Sequence, residues 1–207
     1  MALVKYNNNS ISAVTAAASI PSASLVPIKT LTASSSATLS FVHGTDGVVL
    51  DSTYPIYKFE FINMHPSTDA VSFLFQANAV GGSGFNETIT STFFRTRHRE
   101  NGTDAGLSYD SSYDLAQSTN FQTLAFLTGN DNDQSCSGYL QLFNPSSTTF
   151  VKHFISKFHN CGRNDHARCE NIAGYFNTTS AIDEISFKFE SGNIDSGKIK
   201  LYGIKDS

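Results

Sequence analysis

"EISFKFESGNIDSGKIKLYGIKDS", residues Glu184 to Ser207, places Ile185, Phe187 and Phe189 at alternate positions, then Ile199 and Leu201 two apart, on either side of the polar connection "SGNIDSG". A side-chain period of two belongs to a strand with one face buried. The same period recurs upstream. In "YPIYKFEFINMH" (Tyr54 to His65) Tyr57, Phe59 and Phe61 share a face while Lys58 and Glu60 take the other. In "AVSFLFQANAV" (Ala70 to Val80) Val71, Phe73, Phe75 and Ala77 line up likewise, and "HPSTD" at His65 to Asp69 supplies a turn that would make these two runs an antiparallel pair. Further strands are predicted at Gln122 to Leu127, Gly138 to Phe143, Phe150 to Phe158 and Ile172 to Phe176, with "NPSS" at Asn144 to Ser147 separating the middle two. The segment Gly81 to Gln117 has no clear period and reads as a long surface loop with one strand in "STFFRTRH". About eight short strands with little helical pattern predict an all-β, antiparallel, jelly-roll-like sandwich over residues 41–207.

Composition bounds what such a domain can do. The chain has 207 residues, and its seventeen Phe and eight Tyr are ample to fill one core. Charged residues make up only 15%, below the ~25% of an average soluble domain, so the surface is neutral and suits packing among neighbours. A net charge of −4 argues against general nucleic-acid binding, which needs a basic face. The apolar runs are too short for a membrane-spanning helix, and Lys5 is followed by "NNNS" rather than the hydrophobic stretch of a secretion signal.

Residues 1–40 differ from the rest. From Asn7 to Ser40 the only charged residue is Lys29, and Ser, Ala and Thr dominate. Ile11, Val14, Leu25, Val26 and Leu31 are too sparse to cover one another, so this stretch is expected to be an anchoring arm that buries them on another chain. Ser10 is placed to cap a short helix that Pro21 would end. A charge-poor arm of this kind differs from a disordered tail, which relies on charge to stay solvated.

No motif carries chemistry. "HNCGRNDHARC" brings together His159, Cys161, His166 and Cys169, but without the paired C-x-x-C spacing of a zinc site; free structural thiols are expected over zinc or a Cys161 to Cys169 disulfide. Asp131 and Asp133 resemble the opening of a calcium loop, yet the required Gly and acid positions hold Cys136 and Leu142. No nucleophile elbow or named carboxylate pair emerges, so neither catalysis nor a cofactor or metal is expected. "RTRHRE" puts Arg95, Arg97 and Arg99 at alternate positions, pointing one way in a strand. An ion-paired contact with a neighbouring subunit is the expected use of that stripe, with phosphate binding as the alternative.

Several stretches together carry a resemblance: "MALVKYNNNSISAVT", "YKFEFINMHPSTD", "GFNETITSTFFR", "GNDNDQS", "LQLFNPSSTTFVKHFIS", "AGYFNTTSAI" and "FKFESGNIDSGKIKLYGI". Across essentially its whole length the chain resembles small virion structural proteins of marine tailed bacteriophages. That resemblance implies a particle component, a tail-associated fibre or adaptor or a capsid decoration, but no catalytic residue. Its expected partners are other virion proteins and further copies of itself, a trimer by analogy with phage fibres and decorations. The alternative is a sandwich that binds host-surface glycans, for which Tyr109, Tyr113 and Tyr139 are the candidate stacking residues and the lack of Trp counts against.

Overall fold

In a computed structural model, residues 24–206 are described. They form twelve strands and no helix: β1 (Leu25–Thr32), β2 (Leu39–Val42), β3 (Ile56–Pro66), β4 (Val71–Ala79), β5 (Ile89–Arg99), β6 (Ala105–Tyr109), β7 (Gln122–Thr128), β8 (Cys136–Phe143), β9 (Lys152–Gly162), β10 (His166–Phe176), β11 (Ile182–Phe189) and β12 (Ile194–Ile204). All pairings are antiparallel and belong to one large sheet in the order β1-β12-β3-β8-β9-β7-β4-β11-β2, with β10, β5 and β6 branching from β9. The β7 to β9 link is a single pair, Thr128 with Gly162, which brings the sheet nearly to a closed barrel. The all-β, antiparallel expectation therefore holds.

Four of the pairings are nested along the chain. β1 pairs β12, β2 pairs β11, β3 pairs β8 and β4 pairs β7, each pair enclosing the next as in one long hairpin. The joins β12 to β3 and β11 to β4 roll that hairpin up. Two further hairpins, β5 with β6 and β9 with β10, are inserted and pair with each other through β5 and β10.

Alternation sets the core. Phe59 and Phe61 from β3, Phe73 and Phe75 from β4, Phe41 from β2 and Phe187 from β11 are all buried. Phe187 lies at their centre, its ring 4.9 Å from Phe61, 5.4 Å from Phe59 and 6.3 Å from each of Phe41, Phe73 and Phe75. Edge-on and offset contacts at these distances add to the burial of each ring. Gly197 turns β12 at φ +128, where a Cβ would stand 2.7 Å from the Asn63 carbonyl oxygen, so a register irregularity next to β3 requires glycine there.

Two expectations need correction. β3 and β4 are not a hairpin pair: β3 has β12 and β8 as neighbours, β4 has β11 and β7, and the two meet only through side chains across the core, Phe61 and Phe73 being 5.7 Å apart. The turn after β3 carries the chain from one side of the barrel to the other. Nor does an arm run to residue 40. Leu25, Val26 and Leu31 lie in β1, paired with Ile204, Gly203 and Ile199 of the same chain, and Ile28 and Leu31 pack on its core. The cause is β12, whose second edge is open for a strand and whose inner residues Ile199 and Leu201 need cover. Ile11 and Val14 lie outside the described residues.

Candidate functional site

On β5, Ile89, Ser91 and Phe93 point inward, and the same face continues as Arg95, Arg97 and Arg99. On β10 the inward series from Phe176 through Ile172 becomes Glu170, Arg168 and His166. The interior thus changes from apolar to charged halfway along both strands. Arg95 forms an ion pair with Asp110, and its guanidinium lies 4.0 Å from the Phe126 ring centre. Arg97 Nε lies 2.8 Å from Asp104 Oδ2, which His166 Nε2 also approaches at 3.2 Å. The Arg97 hydrogen bond holds the Asp104 carboxyl below its ordinary range. Arg99 Nε donates to the Asn164 carbonyl at 3.1 Å. The stripe does share one face, and each guanidinium has a partner within its own chain.

Glu170 lies deepest. It is wholly buried, and Oε1 accepts from the Phe126 N–H and from Asn160 Nδ2, both at 3.3 Å. Loss of hydration pushes its carboxyl up to about 8, with the Phe126 N–H and the nearby Arg168 and Arg95 opposing. Arg168 Nη1 donates to the Leu127 carbonyl at 2.9 Å, and burial lowers its pKa. Gly162 suits this spot, since a Cβ there would stand 2.9 Å from the Leu127 carbonyl oxygen and displace the Arg168 guanidinium. This cluster is enclosed by β7, β9 and β10. The three cysteines are free thiols, with Cys136 fully buried and its thiol pKa raised by burial. Among the described residues no group of three His, Cys, Asp or Glu is placed to hold a metal.

The outer surface is asymmetric. Over β4 and β11 the chain covers itself: Gln76 Nε2 donates to the carbonyls of Glu87, Thr119 and Asn120, and Lys188 Nζ sits 4.2 Å from the Phe121 ring centre. Over β12, β3, β8, β9, β10 and β5 the outward residues carry no such cover among the described residues. One cross-strand row there reads Lys200, Glu60, Tyr139, Lys157, Asn171, Phe94, Tyr109, and the next Tyr202, Lys58, Gln141, Ile155, Ala173, Thr92. Phe94 is 43%, Ile155 46% and Tyr109 57% exposed. Exposed rings clustered on one sheet face mark a contact surface.

Two shallow depressions share this face. One, about 440 Å³, is lined by Phe143, His153 and Tyr175 with Thr90, Thr92, Ile155 and Ala173. The other, about 190 Å³, lies between Tyr139 and Phe94 over Lys157 and Asn171, and also takes in Thr92, Ile155 and Ala173. They join into one trough. Of the three tyrosines singled out from sequence, Tyr139 lines this trough and Tyr109 stands beside Phe94 with its hydroxyl donating to Asp114. Tyr113 turns inward, its ring 4.5 Å from Phe126. Phe94, Lys157 and Asn171 were missed, although Ile155 at an outward position of an alternating strand was a readable sign of a covered or binding face. Compared with known family models, curated proteins and solved structures, the chain matches none.

Proposed function

We propose that the chain is a non-enzymatic structural component of a bacteriophage virion, held in the particle by the charge-poor segment that leads into β1. The nested strand pairs support reading the fold as a jelly roll with two inserted hairpins, an architecture frequent in capsid and lectin domains. The observation that carries the proposal is the position of β1. Among the described residues it is an edge strand with a neighbour on one side only, β12, and Leu25 at its start remains 38% exposed. Residues 1–23, with Lys5 as their one charged residue, precede this edge strand in the chain. In this reading they contact other virion proteins or further copies, a trimer among them. Repeating one weak contact over many copies gives strong attachment.

Deleting residues 2–23 is expected to abolish incorporation into particles while leaving the thermal midpoint of the purified protein unchanged. Normal incorporation of that variant, scored by imaging or by blotting purified particles, refutes the proposal. Light scattering tests the trimer separately: a monodisperse monomer at high concentration rules it out.

A further inference from the structure

We propose that the trough across β8, β9, β10 and β5 is a binding site for an acidic polysaccharide, one bearing uronate or sulfate groups. Four observations converge on that class. Tyr139 and Phe94 stand in one cross-strand row with Lys157 and Asn171 between them, three strand spacings apart, or about 14 Å. That span suits a short run of sugar units, whose apolar ring faces lie against aromatic side chains while their hydroxyls bond to amides and hydroxyls. Asn171, Thr92 and Thr90 supply such groups in the trough.

The charge has one sign. Neither depression is lined by a carboxylate, and Lys157 lies within the smaller one. Among the described residues no carboxylate is within ion-pair distance of Lys157, or of Lys198 and Lys200 on the same outer face. Glu60, the face's one acid in these rows, is neutralised by Lys58 at 2.8 Å. A chain with net charge −4 thus turns a locally positive, ring-bearing surface outward.

Single-stranded nucleic acid is disfavoured by the same count. Each nucleotide brings a phosphate, and tight binding needs a cation for most of them along the path. The trough offers Lys157 and neutral donors. Carbohydrate, with fewer charges per length and many hydroxyls, fits that mixture better.

This inference rests on the surface of the isolated domain and stands whether or not the chain belongs to a particle; the virion reading only says that a host-surface glycan would be the encountered form. The test uses the full-length protein at 0.15 M salt with polygalacturonate, dextran sulfate, uncharged dextran and oligo(dT) in titration calorimetry or affinity electrophoresis. Saturable binding of at least one acidic polysaccharide is expected, with uncharged dextran at least tenfold weaker. Lys157→Glu, at a fully outward position, and Phe94→Ala are each expected to weaken binding about tenfold or more, with thermal midpoints unchanged. Absence of binding to both acidic polysaccharides overturns the proposal. So does binding that survives Phe94→Ala and Lys157→Glu, which would locate it elsewhere, or tighter binding of oligo(dT) lost in the same variants, which would make the site one for nucleic acid. Particle incorporation is unaffected by these substitutions if the anchoring proposal is correct, so the two failures are distinguishable.

Discussion

A chain beginning at Phe41 is expected to show no cooperative thermal transition, whereas one beginning at Ser24 is expected to melt like the full-length protein. Starting at 41 removes β1 entirely and half of β2, with its Leu39 and Ser40. β12 is then left with an unpaired edge along most of its length, and Ile199 and Leu201 lose the cover of Ile28 and Leu31. Burying a large aliphatic side chain contributes ~1.5–3 kcal/mol. Losing Ile28, Leu31 and Leu39, all partly buried, together with Ala33 therefore costs roughly 4–6 kcal/mol before the ladder bonds are counted, against a total stability of ~5–15 kcal/mol. The exposed β12 edge also invites aggregation. Circular dichroism melts of the two truncations, with size-exclusion profiles, decide the matter. A folded, monomeric 41–207 fragment with an unchanged midpoint would show that β1 is not part of the barrel. The prediction has practical weight: a deletion of the first forty residues would damage the domain and mimic loss of an anchor, so the assembly test has to stop at residue 23.

The second large effect is a loss of stability as pH rises. Glu170 has its carboxyl pushed up, by burial, from the ordinary 4.5 to about 8 in the folded state. Between those values the folded chain keeps the proton that the unfolded chain has released. Folding is then linked to proton uptake, and the contribution present in full below about pH 4.5 is lost as pH climbs through about 8. At ~1.4 kcal/mol per pKa unit the total is on the order of 4–5 kcal/mol. Glu170→Gln preserves the shape of the side chain and cannot ionise. Urea midpoints measured from pH 5 to 9 are expected to fall for the wild type relative to the variant, with Glu170→Gln the more stable by several kcal/mol at pH 9. The subtraction removes the titration of groups common to both proteins. Parallel pH profiles would mean that Glu170 is ionised in the fold and that Arg168 and Arg95, not the loss of hydration, set its state. Its environment makes the first outcome the expected one: two long hydrogen bonds reach Oε1, and Oε2 is buried without a partner.

These results separate what is local from what is not. The alternation in "YKFEF" and "ISFKF" was enough to place Phe59, Phe61, Phe187 and Ile185 inward, because in any strand the backbone sends successive side chains to opposite sides. The same rule correctly put Arg95, Arg97 and Arg99 on one face of β5. It could not say that this face was the inner one, since a run of arginines looks solvated until Asp104 and Asp110, at the two ends of β6, and Phe126 of β7 are brought against it. Nor could it find the trough. Tyr139, Lys157, Asn171 and Phe94 are far apart in the chain and fall in one row only through the registers of β8, β9, β10 and β5.

Residue order alone determined that this is an antiparallel all-β protein with aromatic inner faces, because period and turn chemistry act over a few residues. Tertiary structure decided the partners. β1 closes on β12 at the far end of the chain, and β3 leaves its sequence neighbour β4 for β12 and β8. The reason is that a strand's alternation specifies which side must be buried, while its hydrogen-bonding edges are chemically alike and accept whichever strand the packed core brings alongside.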